Sequence, residues 1–75
     1  MAKALEWGWQ DGATYAWVLG LHYYAERDED GWPPCCMVNN QDIWTGPHCE
    51  TRALAEHAMQ AHFNAEIARW ATPES

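Results

Sequence analysis

The chain has little positive charge. Four Lys and Arg stand against eleven Asp and Glu in 75 residues, a formal net charge of −7. A protein that grips a phosphate backbone needs a basic footprint, so direct nucleic-acid binding is disfavoured. Adhesion to anionic lipid is disfavoured for the same reason. Long apolar runs are missing as well. No stretch is long enough to span a bilayer. Met1-Ala2-Lys3 leads into Leu5-Glu6-Trp7-Gly8-Trp9-Gln10 without the continuous apolar segment of a secretory leader, so none is expected. Cysteine is sparse and odd in number: Cys35, Cys36 and Cys49. Neighbouring cysteines resist the geometry of a bridge, so no disulfide scaffold is expected and a reducing cytoplasm is the simpler compartment. There is no internal repeat and no low-complexity segment.

Tryptophan is what the chain has in excess, with six residues. Each buried aromatic side chain removes roughly 150–250 Å² from water. A chain of this length folds as one domain, residues 1–75, and buries only about 60% of its unfolded surface. A core dense in rings is the way such a chain reaches stability. The 48% hydrophobic and 13% aromatic content argues against disorder.

The first half reads with a period of two. Leu5, Trp7 and Trp9 alternate with Glu6, Gly8 and Gln10 as in a half-buried strand, and Asp11-Gly12 follows as a turn. Tyr15, Trp17, Leu19, Leu21, Tyr23 and Ala25 then share one parity. Ala16, Val18, Gly20, His22, Tyr24 and Glu26 share the other. This is one long strand bent at Gly20, or two short strands broken there. Glu26-Arg27-Asp28-Glu29-Asp30-Gly31 is a polar turn. Trp32 to Val38 reads as a strand whose start, Pro33-Pro34, lies at an edge or outside the sheet, because proline cannot donate to a ladder. Asn39-Asn40-Gln41-Asp42 turns into a short strand, Ile43-Trp44-Thr45, ended by Gly46-Pro47.

The period then becomes 3.6. Thr51 can cap a helix over about residues 52–71, stopped by Thr72-Pro73. Ala55, Met59, Phe63 and Ile67 form an apolar line flanked by Ala58, His62 and Trp70. Small alanines on this helix suit the large rings of a Trp7/Trp9/Trp17 sheet face. The expected fold is α+β: a three- to four-stranded antiparallel sheet packed on one C-terminal helix.

Leu5-Glu6-Trp7, Gly20 with Tyr23, Gly31-Trp32, and Thr51 leading into Ala55…Ala58-Met59-Gln60-Ala61-His62-Phe63…Ile67 resemble a group of small uncharacterised phage and prophage proteins. Those share a Leu-x-Trp strand, a Gly-x-Tyr strand, a Gly-x-Trp strand and an Ala-rich closing helix. The chain departs from their pattern at Pro33-Pro34-Cys35-Cys36, where they run a plain strand. The resemblance implies a phage-encoded accessory protein working in a bacterial host cytoplasm.

Three constellations bear on function. Cys35, Cys36, His48 and Cys49, joined by His57 or His62, carry zinc-type donors. Their spacing is unfavourable: adjacent strand residues point to opposite faces, and two histidines five apart on a helix do not share one. Small buried cysteines are the simpler reading, with no cofactor. No motif positions a nucleophile, a base or a pair of carboxylates in a pocket, so the chain does not read as an enzyme. The acidic turn is the third. Glu26, Asp28, Glu29 and Asp30, with Trp32 as a ring beside them, could contact a host protein with a basic surface, by imitating spaced phosphates. Inhibition of a nucleic-acid-binding or defence (CRISPR-type) protein is one concrete form. Arg27 interrupts the run. A self-associating module is the alternative: if the helix covers one sheet face, Val18, His22 and Tyr24 are left on a bare one that suits a homodimer or a partner, unless Gly20 inverts the parity.

Overall fold

A computed structural model describes residues 4–70. Five strands form one antiparallel sheet in the order of the chain: β1 (Gly8–Gln10), β2 (Ala13–Val18), β3 (Leu21–Glu26), β4 (Pro34–Val38) and β5 (Gln41–Thr45). One helix, α1 (Arg52–Trp70), crosses a single face of the sheet over β3 and β4. The α+β architecture is the expected one, with five strands in place of three or four. Ala71 and the Thr72-Pro73 stop lie outside the described residues, as do the first three residues and the side chain of Trp70.

Three of the four connections between strands are two-residue turns with both φ angles positive: Asp11-Gly12, Leu19-Gly20 and Asn39-Asn40. Such turns match the right-handed twist of the strands they join. The middle one settles the choice left open by periodicity. Val18 pairs directly with Leu21, so both point to the same side. Parity therefore inverts across Leu19-Gly20. Thr14, Ala16 and Val18 join Leu21, Tyr23 and Ala25 beneath the helix, while Tyr15 and Trp17 join His22 and Tyr24 on the far side.

Trp17 is thus not a core residue as its parity with Trp7 and Trp9 suggested. Its side chain is 67% exposed. Val18 likewise leaves the bare face for the covered one. Trp7 packs against the core as expected, whereas Trp9 reaches only the core's margin and stays half exposed.

A β-bulge between Cys36 and Met37 decides which of the neighbours Ile43 and Trp44 faces the helix. Trp44 opposes Cys36 and Asp42 opposes Met37, which leaves Ile43 as the extra residue, outside the pairing and exposed. Trp44 then faces the helix and stacks on His62 at 4.4 Å. Pro34 is the first residue of β4, the position that a residue without an N–H tolerates.

The helix begins where Thr51 caps it: the Thr51 hydroxyl accepts the Leu54 amide at 3.1 Å. Ala55, Met59 and Phe63 are completely buried, and Ile67 continues their line to the margin. Phe63 meets Tyr23 edge to face at 6.3 Å. Polar contacts fix the register of helix on sheet. The buried Thr14 hydroxyl donates to Glu56, which also accepts Arg52 Nε at 2.8 Å. Gln60 Oε1 accepts the Leu5 amide at 2.8 Å. The Tyr23 hydroxyl lies 2.8 Å from His62 Nδ1. Among the described residues, no buried side-chain nitrogen or oxygen lacks a partner. No described helix is long and apolar enough to cross a membrane.

Candidate partner-binding surface

The meander brings the β1–β2 turn, the end of β3, the β3–β4 connection and the start of the helix to one end of the molecule. Asp11, Glu26, Asp28, Glu29, Asp30 and Glu50 all lie there, six of the eleven acidic residues of the chain. All six are exposed. The turns at the opposite end, Leu19-Gly20 and Asn39-Asn40, carry no charge. Arg27 and Arg52 share the acidic end, while Asp42 follows Asn39-Asn40 and Glu66 lies beside Leu19 and Leu21, so negative charge is denser at the first end without being confined to it.

The acidic connection is held in shape by local bonds. Asp28 accepts the Asp30 amide at 2.7 Å, and its other oxygen lies 3.1 Å from His48 Nε2. The Asp30 amide first, and His48 after it, hold the Asp28 carboxyl below the usual range. Trp32 and Cys49 exchange two backbone hydrogen bonds of 2.8 and 3.0 Å. Gly31, at φ 125°, sits against the Cys49 carbonyl, where a side chain has no room. Glu29 and Asp30 stay exposed on this pinned turn, and Glu26 is exposed at the end of β3 just before it. Trp32 packs on the core and lies 5.9 Å from Trp9, so it supports the connection from beneath. The more exposed indole at this end is Trp9, with the Arg52 guanidinium 4.4 Å above its ring.

The zinc-type donors do not converge. Cys36 is buried beneath the helix, while Cys35 is on the opposite face with its thiol 3.3 Å from the Tyr24 carbonyl. Cys49 turns to the Pro47 carbonyl, and His48 is held by Asp28. Burial, helped by Asp42 and Cys36, pushes the Cys35 thiol up to about 11, and burial raises Cys36 also. Thiols so shifted stay protonated and unreactive at neutral pH. His57 is exposed on the helix, and His62 is engaged by Tyr23 and Trp44. Among the described residues, the three donor side chains that do come within 4.8 Å of one another are Asp28, Asp30 and His48, all exposed.

The sequence pattern showed only part of the aromatic surface on the open side of the sheet. On the face away from the helix, the register aligns Tyr15, Tyr24 and Cys35 in one row and Trp17, His22 and Met37 in the next. Trp17 and His22 stack at 3.9 Å with ring planes 2° apart, and His22 meets Tyr24 at 5.9 Å. Tyr15 lies across Gly8, where a methyl group would strike its ring. The Tyr24 hydroxyl donates to Glu26 Oε1 at 3.1 Å, tying this face to the acidic end. His22 and Tyr24 were expected on a bare face. The signal that could have added Tyr15 and Trp17 was Leu19-Gly20 read as a hairpin turn rather than a bend.

No family model matches the chain, and neither the curated proteins nor the solved structures contain a match to it.

Proposed function

We propose that this protein acts by binding another protein, as a small acidic accessory factor of phage type that occupies a cationic surface of a host protein in the bacterial cytoplasm. A nucleic-acid-binding or defence (CRISPR-type) protein is the class of target that presents such a surface. The observation carrying this reading is the gathering of six carboxylates at one end of the sheet, three of them, Asp28, Glu29 and Asp30, on a connection pinned by its own backbone. A preformed cluster meets a basic groove without the cost of ordering a loop. Glu26, Glu29 and Asp30 supply charge, Asp28 supplies charge and turn geometry, and Trp32 positions the connection.

The test is a charge reversal that spares the turn. Glu26→Lys, Glu29→Lys and Asp30→Lys together leave the Asp28 contacts in place. Wild-type protein immobilised against bacterial lysate at about 0.1 M salt is expected to retain basic proteins and to release them as salt screens the contact. The triple variant is expected to retain none of them. An identical set of captured proteins for both would refute the reading.

A further inference from the structure

Two properties of the uncovered sheet face together define what it can hold. Its centre is aromatic: Tyr15, Trp17, His22 and Tyr24 line one shallow groove across β2 and β3. Asp11 and Glu26 line the end of that groove nearest the acidic connection. Glu26 is held there by the Tyr24 hydroxyl. A second copy of this chain would bring the same lining, which holds no Lys or Arg to meet these carboxylates, and a nucleic acid would set phosphates against them. A cation is what the groove's chemistry accepts. The face of an aromatic ring attracts it, and a carboxylate beside the ring neutralises it.

The chain makes this combination for itself at the start of the helix. Arg52 lies 4.4 Å over Trp9 while its Nε bonds Glu56 at 2.8 Å. A guanidinium is planar, stacks on rings and still directs its N–H groups sideways to a carboxylate, which an ammonium does less well. The uncovered face offers the same ring and carboxylate to an arginine from outside.

We infer that the uncovered face of the sheet is a docking surface for an extended, arginine-bearing segment of a protein partner, the guanidinium lying against Tyr24 between Glu26 and Asp11 and a neighbouring apolar side chain covering Trp17. The rows of the face are about 7 Å apart along the strands, the spacing of alternate side chains in an extended chain. Burial keeps His22 below its ordinary protonation range, so the ring stacked on Trp17 adds no positive charge to the groove at neutral pH. This inference rests on the reading of the protein as a binder of cationic protein surfaces, and it names where the partner's arginine goes.

A hexa-arginine peptide is the probe, titrated into isotope-labelled protein and followed by NMR, with hexa-lysine as the comparison. Hexa-arginine is expected to move the Trp17 indole N–H and the amides of Tyr15, His22 and Tyr24. Trp17→Ala or Tyr24→Ala should weaken it about tenfold. Glu26→Gln should weaken it as well, and hexa-lysine should bind at least about fivefold less tightly. The exposure of Trp17 makes its alanine variant safe for the fold, and retained dispersion of the amide spectrum checks this. Shifts confined to residues 28–30, equal for both peptides, would overturn the docking face while leaving the acidic end as the contact. No shift with either peptide would overturn both. Shifts of the face on raising protein concentration alone, with a dimer mass in sedimentation, would overturn it in favour of a second copy.

Discussion

The Leu19-Gly20 turn lends itself to a quantitative test, because it places a bulky residue where the backbone disfavours one. Leu19 has φ 50° and is 78% exposed. A residue with a Cβ held in this left-handed region costs roughly 1–2 kcal/mol, and asparagine tolerates it far better than leucine. Against that gain stands the small buried part of Leu19, which lines a pocket with Leu21, Glu66 and Ile67. With about a fifth of the side chain buried, and full burial of leucine contributing about 1.5–3 kcal/mol, the contact is worth about 0.5 kcal/mol. Leu19→Asn should therefore stabilise the fold by about 1 kcal/mol, a rise in Tm of roughly 4–8 °C for a domain of this size. Leu19→Ala keeps the backbone penalty and loses the contact, so it should destabilise by about 0.5 kcal/mol. Urea titration followed by tryptophan fluorescence measures both. Opposite signs for the two variants support the argument. Equal shifts, or a less stable Leu19→Asn, would show that Leu19 is not strained in this turn and would refute the argument.

Two further outcomes are expected. Phe63→Ala removes a ring that is 1% exposed and set edge to face on Tyr23, at a cost of about 3–5 kcal/mol. A domain of this length has only about 4–11 kcal/mol in all, so near-UV circular dichroism from the tryptophans should be lost at low urea. A cost under about 1 kcal/mol would mean that the helix does not cover Tyr23. Acidification should also weaken the fold. Burial holds both His22 and His62 below the ordinary 6.5, with Glu66 opposing and Arg69 assisting the shift at His62. The folded state then takes up these protons later than the unfolded chain. Stability is complete above about pH 6.5 and falls as pH drops through the lowered folded values. His62 faces Tyr23, Trp44, Glu66 and Arg69, and His22 faces Trp17 and Tyr24. The urea midpoint should drop between pH 7.5 and 5.5 in the wild type and stay nearly flat in His22→Gln/His62→Gln. A drop of the same size in the double variant would assign the effect to other groups.

Much of this molecule is written in local pattern. The 3.6-residue period after Thr51 and the hydroxyl at its head are enough to define the helix and the buried line Ala55, Met59 and Phe63, because capping and one-sided burial act over a single turn. Asp11-Gly12 and Asn39-Asn40 announce their turns through residues that tolerate positive φ. The separation of Cys35 from Cys36 follows from the two-residue alternation of any strand. The concentration of acid around Glu26–Asp30 is visible too, though not its junction with Asp11 and Glu50.

What tertiary structure alone decided is which face each aromatic residue occupies and which charges become neighbours. A strand's side-chain period is two, so one misjudged turn moves every later or earlier side chain to the other side. Leu19 conceals the hairpin because leucine is a poor residue for it, and with the hairpin go Tyr15 and Trp17, which leave the core for the open face. The bulge at Ile43 performs the same exchange for Trp44. Side-chain pattern reports how a segment alternates. Pairing across the sheet determines which of the two alternating sets the helix covers, and that depends on contacts between residues distant in the chain.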